Sequence, residues 1–131
     1  MPDQQRQLVL AVEDNETHRY ALTRILESEG FAVIATESGK DALALARQNR
    51  PAVILLDVNL SGENGYDLCR TLKSAVETKD IPVVIYTSYE EAGGFEASAA
   101  GATSFLTYPV HPSDLLHVIR GAIAKGLLSK N

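Results

Sequence analysis

Tryptophan is missing from the 131 residues, and cysteine occurs once. A lone cysteine excludes an internal disulfide, so the chain must stand on its own core. Cys69, following Leu68 in a stretch of helical character, reads as a small buried apolar residue rather than a reactive thiol. No apolar run approaches the ~20 residues of a membrane span, and the opening Met1-Pro2-Asp3-Gln4-Gln5 is too polar for a signal peptide. A cytoplasmic protein without membrane contact is expected. Basic residues are in the minority, 12 Lys+Arg against 17 Asp+Glu for a net charge of −5, and no basic stripe is available to neutralise phosphates. Nucleic acid is therefore not expected as a direct partner. Repeats and linker-like segments are also missing, which predicts one domain over residues 1–131, with a core from about 8 to 127 and short polar tails.

What the sequence does contain is a series of short apolar runs alternating with helical patterns. Val53-Ile54-Leu55-Leu56, bounded by Pro51 and Ser61-Gly62, fits a strand covered on both faces, the mark of a central parallel strand. Such a strand has no solvated face, so Asp57 is placed at its carboxyl end, where open α/β sheets bind their ligands. Leu8 to Val12 is a second strand, running into Glu13-Asp14-Asn15. Further strands are expected at Phe31 to Ala35, at Pro82 to Tyr86 before Thr87-Ser88, and at Ser104 to Thr107. Between them, His18, Ala21, Leu22, Ile25 and Leu26 recur at helical spacing up to Gly30; Ser38 and Asp41 form a capping box before Ala42, Leu45 and Ala46; and Tyr66 to about Ala75 lacks helix breakers. Glu90 to Ala100 predicts a fourth helix, short or mobile because Gly93 and Gly94 each cost about 1 kcal/mol relative to Ala. Pro112 suits a first helical position ahead of Leu115, Leu116, Ile119 and Ile123. Five alternations require right-handed crossovers with helices on both faces. The predicted architecture is α/β, a three-layer doubly wound (βα)5 fold whose central five-stranded parallel sheet has order 2-1-3-4-5.

In that order the first and third strands are neighbours, so Glu13, Asp14 and Asp57 converge at one sheet edge. Carboxylates crowded this way repel, each pair by about 4 kcal/mol at 4 Å and an effective dielectric of 20. A cation must hold them. Hard oxygen donors without His or Cys in these loops favour Mg²⁺ over Zn²⁺ or a Ca²⁺ cage. The fourth strand brings the Thr87 hydroxyl and the backbone N–H of Ser88 to the same edge, an anion site beside a metal-held carboxylate, and the anion that joins all three is a phosphoryl group. Read separately, each part has an ordinary explanation, an acidic helix start or an end-of-strand turn; together they specify chemistry.

These residues carry a resemblance to response-regulator receiver domains, the CheY-like family, from Leu8 to about Leu127. It rests on the acidic pair Glu13-Asp14, Asp57 ending an apolar strand, the Gly65-Tyr66-Asp67-Leu68 turn, Thr87 after Pro82-Val83-Val84-Ile85-Tyr86, and the Gly101-Ala102 to Pro109 segment. The resemblance implies phosphotransfer to Asp57 from the phosphohistidine of a sensor histidine kinase or a histidine phosphotransfer protein. It further implies Mg²⁺ held by Asp14, Asp57 and the Asn59 backbone carbonyl, with Glu13 one layer behind. Thr87 and Phe105 would move together as a switch, remodelling the face of the fourth helix, fifth strand and fifth helix for a downstream protein. Tyr86, Tyr89, Phe95 and Phe105 lie on or near that face, as a partner patch or as partly buried packing. A monomer or weak homodimer is expected, with no enzymatic activity beyond self-phosphotransfer and autodephosphorylation. No room remains after Lys125 for an output domain, so the chain is either a stand-alone receiver or a piece of a longer protein.

One departure is large. Where the family carries an active-site lysine, this sequence has Tyr108, which donates one neutral hydrogen bond and brings no charge. Either Asp57 is still phosphorylated, with slower, longer-lived or poorly coupled chemistry, or the domain is a pseudo-receiver that signals by binding alone. Ser61 stands where proline is more usual, and the Asn59 side chain, pointing toward the open side of the phosphoryl, is placed to position or obstruct a hydrolytic water. A more distant alternative is a Mg²⁺-dependent aspartyl phosphatase, since Asp57-Val58-Asn59-Leu60-Ser61 is faintly similar to the nucleophile motif of haloacid-dehalogenase-type enzymes; Asn59, however, replaces the carboxylate those enzymes need as general acid. A flavin carrier of the same fold conflicts with Glu13-Asp14, which would repel its phosphate. His18 is expected as half-covered packing, and His111 and His117 as surface residues. A signalling role requires Asp14 and Asp57 to meet, with Asp57 not sealed from solvent.

Overall fold

A computed structural model describes residues 6–60, 62–88 and 94–129, the side chains of 94, 95 and 129 excepted. In chain order the elements are β1 (Leu8–Val12), α1 (Glu16–Ser28), β2 (Ala32–Thr36), α2 (Gly39–Asn49), β3 (Val53–Asp57), β4 (Asn59–Leu60), β5 (Glu63–Asn64), α3 (Gly65–Ser74), β6 (Val83–Ser88), α4 (Gly94–Ala99), β7 (Ser104–Tyr108) and α5 (Pro112–Ser129). The main sheet is parallel throughout, in the order β2-β1-β3-β6-β7. Setting aside the small β4–β5 ribbon, which the sequence reading did not anticipate, this is the expected 2-1-3-4-5 arrangement.

Every residue of β3 is buried, and its alternation feeds two cores. Ile54 and Leu56 join Leu10, Val12, Ala42, Ala46, Cys69 and Leu72 beneath α2 and α3. Val53 and Leu55 join Val9, Leu22, Leu26, Leu115 and Ile119 beneath α1 and α5. Each such aliphatic side chain contributes roughly 1.5–3 kcal/mol when fully buried, so the strand is fixed from both sides and Asp57 has no route but the carboxyl edge. Cys69 is fully buried, its Sγ lies 3.4 Å from the carbonyl of Ala100, and burial pushes its thiol up to about 11. It is packing, as its sequence context indicated.

The helix ends follow local chemistry. Asn15 caps α1 by accepting the N–H of His18 at 2.9 Å. At the other end Gly30 takes φ +92°, and the N–H groups of Gly30 and Phe31 return to the carbonyls of Glu27 and Leu26, a glycine-dependent stop. The capping box of α2 is only half made: Ser38 Oγ accepts the N–H of Asp41 at 3.1 Å, but the Ser38 N–H goes to Thr36 Oγ1 rather than to the Asp41 carboxylate. Thr36 ends the adjoining strand, so it competes with Asp41 for that N–H. The fourth helix is short, six residues from Gly94; the part predicted over Glu90 to Gly93 lies outside the described residues, as do Ser61 and Tyr89. Pro112 is the first residue of α5, and His111 and His117 are exposed.

Candidate functional site

The first and third strands are hydrogen-bonded neighbours, and the chain leaves both at the same edge. Glu13 follows β1 directly, its N–H held by the Thr36 carbonyl at 2.9 Å, and Asp57 is the last residue of β3. Glu13, Asp14 and Asp57 thereby each bring a carboxylate oxygen within 4.8 Å of the others. Glu13 is 1 % exposed and Asp57 3 % exposed, whereas Asp14 is partly exposed and Asn59 exposed. Asp57 is thus more deeply buried than the sequence reading required of an acceptor, because β3 is covered on both faces to its last residue; of its neighbours, Asp14 and Asn59 are the ones that reach solvent.

Electrostatics reflect this crowding. Burial, then contact with the Asp57 carboxyl, raises Glu13 to about 8, with the Asp57 and Asp14 charges acting in the same direction. Burial likewise raises Asp57, against the lowering effect of its contact with Glu13 and of the Asn59 N–H, which donates to Oδ1 at 3.0 Å. Glu13 Oε2 accepts the Asn15 N–H at 3.1 Å, while the buried Oε1 has no hydrogen-bond partner. An all-oxygen donor set with like charges pressed together and one buried lone oxygen fits a hard divalent cation.

The neighbouring strand adds a hydroxyl. Tyr86 of β6 is in register with Asp57, and Thr87 follows it, fully buried, with no hydrogen-bond partner for Oγ1. A buried unsatisfied hydroxyl costs about 1–3 kcal/mol, which is seldom tolerated without a use. Ser88, partly exposed, is in register with Tyr108. The half-buried Tyr108 ring packs on Tyr86, 4.6 Å between centroids, and meets His18 edge-on at 5.5 Å. Tyr86 is 7 % exposed and belongs to the core under α1 and α5, so it drops out of the surface patch; Phe105 remains 40 % exposed on β7.

Three contacts escaped the sequence reading. His18 Nδ1 lies 3.7 Å from Glu13 Oε1, and its side chain is 46 % exposed, so the half-covered histidine also reaches the cluster. A usable signal existed: side chains in a first helical turn lean back toward the helix start, here toward Glu13-Asp14. Arg19 donates from Nη1 to the carbonyls of Glu13 at 2.9 Å and Asp14 at 3.4 Å, with the Glu37 carboxylate at 3.8 Å. Arg19→Ala is expected to loosen the loop that carries Asp14 and to destabilise the protein by about 1.5–3 kcal/mol, measured by urea unfolding, because charged hydrogen bonds to carbonyls are lost. Finally, Gly65 is fixed by proximity: a Cβ there would sit 2.6 Å from Val58 Cα, against the backbone of Asp57 itself.

The chain is similar to known proteins over most of its length. The family description "response regulator receiver domain" matches residues 9–120. Protein PilH of Pseudomonas aeruginosa is 39 % identical over 117 residues, covering 88 % of this chain and 97 % of PilH. Among solved structures, a putative response regulator from Chloroflexus aurantiacus aligns with a TM-score of 0.87 at 28 % identity, over 92 % of this chain and 99 % of its own. The receiver domain of a sensor histidine kinase from Pseudomonas aeruginosa PAO1 aligns with a TM-score of 0.83 at 26 % identity, over 91 % and 98 %, and holds a magnesium ion in its active-site cleft. The family match runs from β1 into α5, over most of the length described above, and the chain belongs to the response regulator receiver domain family of two-component signalling.

Proposed function

We propose that Asp57 accepts a phosphoryl group from the phosphohistidine of a sensor histidine kinase or a histidine phosphotransfer protein. The observation that carries this reading is the meeting of Glu13, Asp14 and Asp57 beside the unpartnered Thr87 hydroxyl. A carboxylate oxygen of Asp57 attacks phosphorus, the N–P bond breaks with its electron pair returning to the donor imidazole, and a mixed anhydride forms on Asp57. Asp14, Asp57 and the Asn59 carbonyl would hold Mg²⁺, with Glu13 behind them. When bound, the ion supplies charge neutralisation for the phosphoryl oxygens and the approaching carboxylate. The Asn59 N–H orients the Asp57 carboxylate. The Thr87 hydroxyl and the Ser88 N–H donate to the phosphoryl oxygens, satisfying the oxygen that is otherwise orphaned. Thr87 and Phe105 then carry the change to the face of α4, β7 and α5, where a downstream protein binds. The Asn59 side chain, exposed beside the site, bears on the water that later hydrolyses the anhydride. The chain acts as one domain over 1–131, in the cytoplasm, as a monomer or weak homodimer, and contacts neither nucleic acid nor membrane; among the described residues no helix is long and apolar enough to cross one.

Tyr108 favours a second reading. It takes the sequence position at which the family has its active-site lysine, and its ring is engaged by Tyr86 and His18, which suits a module that signals by binding alone. Phosphotransfer to wild type and to Tyr108→Lys separates the two. Wild type is expected to take label, and Tyr108→Lys to take it about tenfold faster, since a charge-assisted hydrogen bond is roughly twice as strong as a neutral one. Absence of label from both proteins would leave only the binding module.

A further inference from the structure

The segment that follows Asp57 leaves the sheet as the β4–β5 ribbon, pairing Asn59 with Asn64 and the buried Leu60 with Glu63. One end is fixed locally, since the Gly65 N–H donates to the Val58 carbonyl at 2.9 Å. The other tie crosses the fold. Glu63 Oε2 accepts the N–H of Gly39 at 2.9 Å, 24 residues away in the chain. Gly39 is the first residue of α2, one of the N–H groups that a helix cannot satisfy internally and that carries the positive end of its dipole. Ser38, the N-cap, spends its side chain on the Asp41 N–H, which leaves the Gly39 N–H for a partner from elsewhere. The fit is close: a Cβ at Gly39 would lie 2.5 Å from Glu63 Oε1 and 3.3 Å from Leu68 Cδ2. The contact also directs a fourth carboxylate to a helix start, away from the crowded Glu13, Asp14 and Asp57.

We infer that Glu63 is a positioning residue for the metal site: by pinning the ribbon to α2 it fixes the Asn59 carbonyl and so sets the affinity for Mg²⁺. This rests on the reading of Asn59 as a metal ligand given above. Glu63 touches neither ion nor phosphoryl; it acts through the ribbon, as partners behind metal ligands do when their loss weakens binding by 10–100-fold.

Calorimetric titration of the full chain with MgCl₂ tests the inference on wild type, Glu63→Ala, Glu63→Gln, Gly39→Ala and the double variant Glu63→Ala/Gly39→Ala. Glu63→Ala is expected to bind about tenfold more weakly, with faster amide exchange at Gly39 and Asn59. Glu63→Gln, which keeps an oxygen for the Gly39 N–H, is expected to stay close to wild type. Gly39→Ala breaks the same contact from the other side without changing charge, against the tip of a flexible side chain, and is expected to match Glu63→Ala; the double variant should be no weaker than either. Wild-type affinity in Glu63→Ala, or an equal loss in Glu63→Gln, would overturn the inference while leaving the metal site in place. Absence of Mg²⁺ binding by wild type would overturn the metal reading itself, and the inference with it.

Discussion

Asp57→Asn is expected to take up no phosphoryl group from acetyl phosphate under conditions that label the wild type one to one. The amide is nearly isosteric with the carboxylate and sits at the end of a fully buried strand, so the fold is retained while the nucleophile is lost. The effect is complete because Asp57 alone of the three carboxylates ends β3, next to the strand that carries the Thr87 hydroxyl, whereas Glu13 and Asp14 follow β1 on its other side. The same substitution has a second consequence, opposite in sign to its effect on chemistry. Each pair of unit charges at 4 Å costs about 4 kcal/mol at an effective dielectric of 20, and Asp57→Asn removes one member of a three-carboxylate cluster. In chelator the variant should therefore melt higher than wild type, by about 5 °C for each 1–2 kcal/mol of relief. A variant that melts lower in chelator, or that still labels, would mean that the cluster is neither strained nor reactive at this residue.

The pH dependence of stability should run against the usual direction for an acidic protein, and Mg²⁺ should correct it. Glu13 has a folded-state pKa raised from 4.5 to about 8, and Asp57 is raised as well. Between those limits the folded protein holds a proton that the unfolded chain has already released. A carboxyl shifted upward gives stability that is fully present below its ordinary pKa and is lost as pH rises through the folded value. Metal-free protein is thus expected to lose stability steadily from about pH 4.5 to pH 8 and to change little from this source above it. The groups beside this pair are Asp14, which follows Glu13, His18 on α1 and Tyr86 on β6, with Tyr108 on β7 packed on the last two. Tyr86 is raised to about 12, first by burial, and so stays neutral throughout the window. A saturating divalent cation replaces the shared proton, so its stabilisation should be greater at pH 8 than at pH 5.5, reaching about 2.7 kcal/mol at a hundred times the dissociation constant. Urea unfolding at several pH values, in chelator and in Mg²⁺, measures this directly. Stability that rises with pH in chelator, or a Mg²⁺ effect independent of pH, would contradict the electrostatic account.

Much of this was legible in the residues themselves. Val53-Ile54-Leu55-Leu56 announces a strand with two covered faces, and the five alternations of strand and helix leave little choice of topology, so the meeting of Asp14 with Asp57 follows once β1 and β3 are neighbours. The Gly30 stop and the Pro112 start are local signals that the surrounding fold does not override. What escaped notice depends on side chains reaching across elements. The Ser38 and Asp41 pattern predicted a reciprocal box, but Thr36 is nearer to the Ser38 N–H than sequence spacing reveals. The ribbon of Asn59–Leu60 with Glu63–Asn64 is too short to carry a period-two pattern, and its tie to Gly39 spans 24 residues. Position on the chain leaves Tyr86 open between a partner patch and partly buried packing; its alternation on β6 decides for packing, in the α1 and α5 core, where Tyr108 covers it.

The most direct test of the central claim locates the phosphoryl group. Wild-type protein incubated with acetyl phosphate and Mg²⁺, reduced with borohydride to convert an acyl phosphate into the corresponding alcohol, and digested for peptide mass analysis should show modification at Asp57 alone, and none when Mg²⁺ is chelated. Modification at Asp14 or Glu13, labelling indifferent to Mg²⁺, or an unmodified Asp57 peptide would contradict it.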